Sequence, residues 1–239
     1  MGVTYNPRIV TDGLLLALDA GNSKSYPGSG TTWTDLSGIN NASLNGATYS
    51  SFGGGSIEFD GTNDYVDLGG KTYIGSGEIE RGEANGNYTL EAWINVRSSQ
   101  GTNTNADSIV GNTTFYGVGM QVGISGSSPR INYGARGTTN FYGSTFSYNT
   151  WTHVVLSRIG GTSVRTYLNG QFDTSTGKNN LEVTGGQSYE YGAMQIGNSS
   201  TRIDGYYDGY ISIVRIYKIG LTDEQVKQNF NATRSRFGI

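Results

Sequence analysis

Four groups of residues could carry chemistry. The densest is the acidic run Glu78-Ile-Glu-Arg-Gly-Glu83. Two carboxyl groups about 5 Å apart can act as nucleophile and acid in glycoside cleavage with retention. Gly82 interrupts this run, however, and the run sits in a Gly-rich stretch ahead of a strand-like one. A solvated charged loop is therefore the expected structure. His153 is the only histidine. A Ser-His-Asp triad would need it as the base, yet no nucleophile elbow accompanies it. It lies in the alternating run 151–159 and reads as a structural strand residue.

The third group is the turn holding Asp60, Asn63, Asp64 and Asp67. Calcium takes six to eight oxygens, many from loop carboxylates and carbonyls, so Asp60, Asn63 and Asp64 are candidate ligands for Ca2+. Asp208, before Gly209, is a weaker partner. Asp-Gly turns also close without metal, because the carboxylate bonds its own backbone. No cofactor is required. The fourth group is aromatic. Trp93 shares one strand face with Glu91 and Asn95, and Phe141, Tyr142, Tyr148, Tyr189, Tyr191, Tyr206 and Tyr207 fall in or near loops. Sugars stack their C–H faces on aromatic rings while amides and carboxylates bond the hydroxyls. Tyr-rich, Gly-rich loops also suit protein recognition. The candidate ligand-binding residues are Glu91, Trp93, Asn95, Tyr142, Tyr189, Tyr191, Tyr206 and Tyr207.

Short alternating runs bounded by Gly, Asn, Ser and Asp must position these groups, and such runs are strands. They cover 14–18, 56–59, 65–68, 88–96, 116–124, 151–159, 164–168 and 210–217. In 88–96, Tyr88, Leu90, Ala92, Ile94 and Val96 share one face, which is core. Thr89, Glu91, Trp93 and Asn95 share the other, which is expected to meet solvent or a ligand. Asn169-Gly170 marks a hairpin, because both central residues of a type I′ turn need positive φ. One helix is marked, over about 222–233. Thr222 and Gln225 have the spacing of a capping box, and Leu221 and Val226 that of a hydrophobic staple. Stretches 69–86 and 98–107 read as long loops, which are often functional.

The 239 residues hold no cysteine, which removes thiol catalysis and thiolate metal sites. Hydrophobic residues make up only 35%, but an aromatic share of 12% with modest charge argues for a folded core rather than disorder. Net charge is −3 with no basic cluster, so nucleic acid is not expected as a partner. The longest apolar run, 14–18, is too short to insert in a membrane. No signal peptide is visible at the start.

The stretches Asp12-Gly-Leu-Leu-Leu-Ala-Leu-Asp-Ala-Gly21, Tyr26 to Gly38, Ser56-Ile-Glu-Phe-Asp-Gly-Thr-Asn-Asp-Tyr-Val-Asp-Leu68, Tyr88-Thr-Leu-Glu-Ala-Trp-Ile94, Trp151-Thr-His-Val-Val155, Tyr167-Leu-Asn-Gly170 and Tyr207 to Tyr217 follow one another in order. Together they resemble the concanavalin A-like, laminin-G-type jelly-roll domains. The resemblance covers nearly the whole chain, from about residue 8. It implies an all-β fold: a single jelly-roll β-sandwich of two antiparallel sheets over 1–239, with a short C-terminal helix. Related glucanases carry carboxylates at a spacing similar to that of Glu78, Glu80 and Glu83, but with Asp in the middle. Calcium-binding relatives carry an acidic pair in the last strand, where Ser212 and Ile213 stand here.

The tail from Leu221 to Ile239 resembles a variant common in tailed-phage structural proteins. The expectation is a non-enzymatic phage virion protein, either a capsid decoration or a fibre-associated jelly roll able to grip glycans. Its partners would be other virion proteins, copies of itself and cell-surface polysaccharide, and its location the virion. The alternative is a free-standing carbohydrate-binding lectin. A glucanase-like enzyme is the third reading.

Overall fold

The alternating runs become two antiparallel β-sheets packed face to face. The computed structural model describes residues 8–38, 40–69, 87–99, 107–111, 118–135, 141–160, 163–176, 194–198 and 205–239. In chain order the strands are β1 (Leu14–Asp19), β2 (Thr32–Trp33), β3 (Ala42–Asn45), β4 (Thr48–Ser50), β5 (Ser56–Asp60), β6 (Tyr65–Asp67), β7 (Tyr88–Ser98) and β8 (Asp107–Gly111). There follow β9 (Val118–Ser125), β10 (Ser128–Ala135), β11 (Phe141–Thr145), β12 (Thr152–Ile159), β13 (Ser163–Leu168), β14 (Gln171–Thr176), β15 (Gln195–Ile196) and β16 (Asp208–Tyr217). The helix α1 (Asp223–Thr233) closes the chain with a 3-10 turn at Arg234–Phe237.

The first sheet runs β14-β13-β12-β7-β16-β5-β4, and β1 also pairs with β16. The second runs β11-β10-β9-β8-β15-β6-β3-β2. Strand β16 has two partners along one edge: residues 208–211 pair with β5 and residues 213–217 with β1. Between these partners its register with β7 shifts from Ile211 to Ile213. That bulge lets Ile211 face the intersheet core while Ile213 faces the opposite side.

The intersheet core holds Leu16, Leu18, Ile57, Phe59, Leu90, Ala92, Ile94 and Val96 of the first sheet. Val66, Val110, Met120, Val122, Ile131 and Ile196 of the second sheet meet them. Burying each large apolar side chain contributes about 1.5–3 kcal/mol, so this layer drives the fold.

The first sheet is buried on its other face as well. Helix α1 lies there. Thr222 caps it by accepting from Gln225 N, and Gln225 Oε1 accepts from Thr222 N in return. Leu221 and Val226 join Val10, Val155, Tyr167 and Tyr217 in a second apolar cluster. Trp93, Trp151, Ile213 and Phe230 form a third, with Phe237 against it. No helix among the described residues is long and apolar enough to cross a membrane.

The Asn169-Gly170 hairpin turns as the sequence requires, with φ of 49° and 72°. A Cβ on Gly170 would come within 2.7 Å of Phe230, so this turn also seats the helix. Asn169 Oδ1 accepts from His153 N at 2.9 Å. Asn169→Ala is expected to cost about 1–2 kcal/mol, since it loses this bond and places a Cβ-bearing, non-Asn residue at positive φ. Denaturant unfolding of the variant checks this.

Candidate functional site

Two polar regions stand out, on opposite outer faces of the sandwich. On the first sheet, Glu91 of β7 lies fully buried beneath α1. Its Oε1 accepts from Arg215 Nη1 at 2.5 Å and lies 3.0 Å from His153 Nε2. Its Oε2 accepts from Asn229 Nδ2 at 2.6 Å. The cross-strand register makes this arrangement, because Glu91 stands opposite Val155 on β12 and Arg215 on β16. Asn229 extends the network, donating to Tyr217 Oη at 2.9 Å and accepting from Val10 N at 2.7 Å. Burial alone would push the Glu91 carboxyl up. The Arg215 charge, helped by His153 and Asn229, outweighs burial and holds it at about 2. Nδ1 of His153 has no partner, so the ring meets the network through Nε2 alone.

Trp93 completes this face. It stacks on Phe237 with centroids 4.1 Å apart, and its Nε1 donates to Thr233 Oγ1 at 2.9 Å. Glu91, Trp93 and Asn95 were expected to meet solvent or a ligand. They are buried instead, and for Glu91 and Trp93 the chain's own C-terminal segment occupies that face. The carboxylate's lone pairs are used within the fold. Tyr207 was also a candidate, but its ring packs edge-on against Phe59 inside the core. Burial, reinforced by Asp208 and Asp107, pushes its hydroxyl well up. Tyr206 is half-buried. Tyr189, Tyr191 and the Glu78–Glu83 run lie outside the described residues.

In the acidic turn, Asp60 Oδ1 accepts from Thr62 N and Asn63 N at 2.8 and 3.2 Å. Asp64 Oδ2 accepts from Asp60 N at 3.0 Å. Slight burial would raise the Asp60 carboxyl, but these backbone N–H groups outweigh it and lower it. Burial raises that of Asp64, with Asp60 and Glu58 adding to the rise. Asp208 is held by Arg97 Nε at 2.7 Å and by Ser98 Oγ at 2.5 Å. The carboxylates of this turn thus bind their own backbone. Among the described residues no three His, Asp or Glu side chains gather as a metal cage.

The second region is the outer face of the second sheet. Met120, Val122 and Ile131 point into the core. Alternation therefore turns Gln121 of β9 and Asn132 of β10 outward. Asn132 stands opposite both Gln121 and Tyr142, and Gln121 stands opposite Ser108. One row thus reads Tyr142, Asn132, Gln121, Ser108 across β11, β10, β9 and β8. The adjoining row reads Gly134, Gly119, Gly111, Gln195, Asp67 across β10, β9, β8, β15 and β6. Glycine in a strand interior costs roughly 0.5–1 kcal/mol and marks close approach of a ligand or backbone. Gly111 and Gly119 of this row are themselves buried.

That polar row is buried. Ser108, Asn132 and Gln121 are 0%, 2% and 6% exposed, although they face away from the core. Ser108 Oγ, Asn132 Oδ1 and Gln195 Oε1 are buried oxygens with no hydrogen-bond partner. Such groups are few in native proteins, and each calls for an explanation. At the end of the row the Arg130 guanidinium lies 3.7 Å over the Tyr142 ring. Of the expected ligand-binding residues that are described, Tyr142 is the one in this region. Its other members were not expected from sequence. The signal was present in the run 118–124, where Gly119, Gln121 and Gly123 alternate with apolar residues.

Several solved structures share this fold. Domain 4 of AbnA, a GH43 extracellular arabinanase from Geobacillus stearothermophilus solved with arabinotriose, has a TM-score of 0.64 at 18% identity, covering 90% of this chain and 97% of that one. The binding domain of Paraclostridial Mosquitocidal Protein 1 has a TM-score of 0.65 at 15% identity, covering 92% of this chain and 52% of that one. Trypanosoma rangeli sialidase, in complex with sialic acid, has a TM-score of 0.67 at 15% identity, covering 98% of this chain. The present chain spans 36% of that sialidase chain, about a third of its length. No curated protein sequence matches the chain.

These neighbours correct the expectation of a non-enzymatic protein. The fold occurs within sialidase and arabinanase chains, so it carries no exclusion of catalysis. The family described as concanavalin A-like lectin/glucanases superfamily matches residues 60–227, well over half of the chain. With the two stacked antiparallel sheets in place, that match shows that the chain belongs to the concanavalin A-like lectin/glucanases superfamily.

Proposed function

We propose that the outer face of the second sheet binds carbohydrate. The observation that carries this reading is the partly exposed Tyr142 at the end of the second sheet, with the Arg130 guanidinium over its ring. A sugar lays a C–H face against such a ring, and its hydroxyls accept from a guanidinium. The family's lectins and glucanases, and the arabinotriose held by the arabinanase domain, support the same reading.

Tyr142→Ala tests it. Tyr142 is only half-buried, so the fold is expected to be kept. Sugar affinity is expected to fall about fivefold to tenfold with the loss of the ring. Screening of the whole chain on a glycan array, followed by calorimetry of both forms, reads the result. Sugar release is measured in the same samples. A flat array, or a folded Tyr142→Ala chain with full affinity, would remove the reading.

A second reading places the domain in a virion. It rests on the resemblance of the tail Leu221 to Ile239, a segment that covers the first sheet while leaving the second sheet's outer face uncovered by it. Partners would then be neighbouring virion proteins, with polysaccharide gripped from the particle surface. Mass spectrometry of purified particles tests this, and absence of the chain from them ends it.

A further inference from the structure

We infer that the chain carries a second carbohydrate site, on the outer face of the first sheet, built from Phe52, Tyr210, Glu58 and Arg97. Tyr210 of β16, Glu58 of β5 and Arg97 of β7 alternate with Ile211, Ile57, Phe59 and Val96, which face the core, so all three side chains point outward. Farther along this face the C-terminal segment buries Glu91 and Trp93. The three outward residues remain accessible: the Arg97 and Glu58 side chains are 39% and 35% exposed, and Tyr210 is half-buried.

Phe52 supplies an aromatic wall. It is 47% exposed, and its ring lies 5.0 Å from that of Tyr210 and 5.5 Å from that of Trp151. The next residue fixes its place. Gly53 has φ of 64°, and a Cβ there would come within 2.4 Å of Trp151, so glycine lets the turn settle on the indole. A ring already held in position binds at a lower entropic cost than a mobile one.

The polar groups beside this ring are already aligned. Glu58 Oε1 accepts from Arg97 Nη1 at 2.7 Å and from Tyr210 Oη at 3.2 Å. Glu58 Oε2 accepts from none of the described residues. Arg97 also donates through Nε to Asp208 and through Nη2 to Phe59 O, so three of its five N–H groups are used and two remain. An accessible acceptor and accessible donors therefore stand side by side, next to an exposed aromatic ring. Two neighbouring hydroxyls of a sugar match this set. One donates to Glu58, the other accepts from Arg97, and the sugar's C–H face packs on Phe52. A few placed polar groups beside an apolar wall are what fix a small ligand's orientation.

This site lies on the other sheet from Tyr142 and faces the opposite way. With both occupied, one domain holds two glycan chains and cross-links them. That two-sided arrangement rests on the carbohydrate reading above, whereas the Phe52 site stands on its own residues.

Calorimetry of the whole chain with arabinotriose, mannotriose and cellotriose tests this. At least one trimer is expected to bind at two sites per chain. Phe52→Leu keeps an apolar side chain against Tyr210 and Trp151 but removes the ring. It is expected to fold and to weaken one of the two sites about tenfold. Tyr142→Ala is expected to weaken the other. A single site that Tyr142→Ala removes and Phe52→Leu leaves at full affinity would overturn the second site and leave the carbohydrate reading standing. A single site that Phe52→Leu removes and Tyr142→Ala leaves intact would uphold the Phe52 site and overturn the reading at Tyr142. A folded chain that binds none of the three trimers would overturn the Phe52 site.

Discussion

Glu91→Ala is expected to destabilise the fold by about 3–5 kcal/mol, enough to unfold a marginal domain. The reason is the charge left behind. Arg215 is buried and pairs with Glu91 at 2.5 Å. Removing one partner of a buried pair strands the other without solvent or counter-charge. Asn229 Nδ2 loses an acceptor in the same step, and Val10 is tied to Asn229, so the damage reaches the N-terminal segment. Denaturant titration reads the loss. Replacing Glu91 and Arg215 together with Leu and Met is expected to recover much of it, because an apolar pair of similar volume carries no stranded charge. A Glu91→Ala chain as stable as the parent would show that the network contributes nothing.

The same carboxylate sets an acid limit. Its folded value of about 2 lies below its ordinary 4.5. A depressed acid stabilises the folded state above its unfolded pKa, and the contribution is lost as pH falls through the folded value. Stability is therefore expected to drop between about pH 4.5 and 2, by about 3 kcal/mol from this group. Unfolding free energy measured against pH checks the window, and Glu91→Gln is expected to flatten it.

Trp93→Ala carries the second large effect, again about 3–5 kcal/mol. Its indole fills the space between β7 and the C-terminal segment, stacked on Phe237 and on Phe230. Truncation leaves a cavity there and removes the Nε1 bond to Thr233. The loss is expected to be local before it is global. Residues 222–239 should become sensitive to protease while the sandwich persists, and Trp93→Phe should restore most of the protection. Uniform unfolding with no early cleavage of that segment would contradict this order.

The long alternating strands β7, β12 and β16 and the capping box at Thr222 were legible because their determinants are local. The coverage of the first sheet was not. Thr89, Glu91, Trp93 and Asn95 form a polar row whose pattern is the same whether it meets a ligand or the chain's own helix. The deciding contact, from Asn229 to Glu91, comes from 138 residues away. Strands β2, β4 and β15 span two or three residues, too few to show a period. The run 116–124 was legible as a strand, but its neighbours were not. Only the pairing sets Gly119 opposite Gly111 of β8 and Gly134 of β10.

Val10 and Arg8 are fastened to α1 through Asn229 and Gln228, so the two ends of the described chain emerge together behind the first sheet. The polar row of the second sheet looks the other way. A tether fused at the C-terminus would therefore anchor the sandwich by its back and turn the second sheet outward.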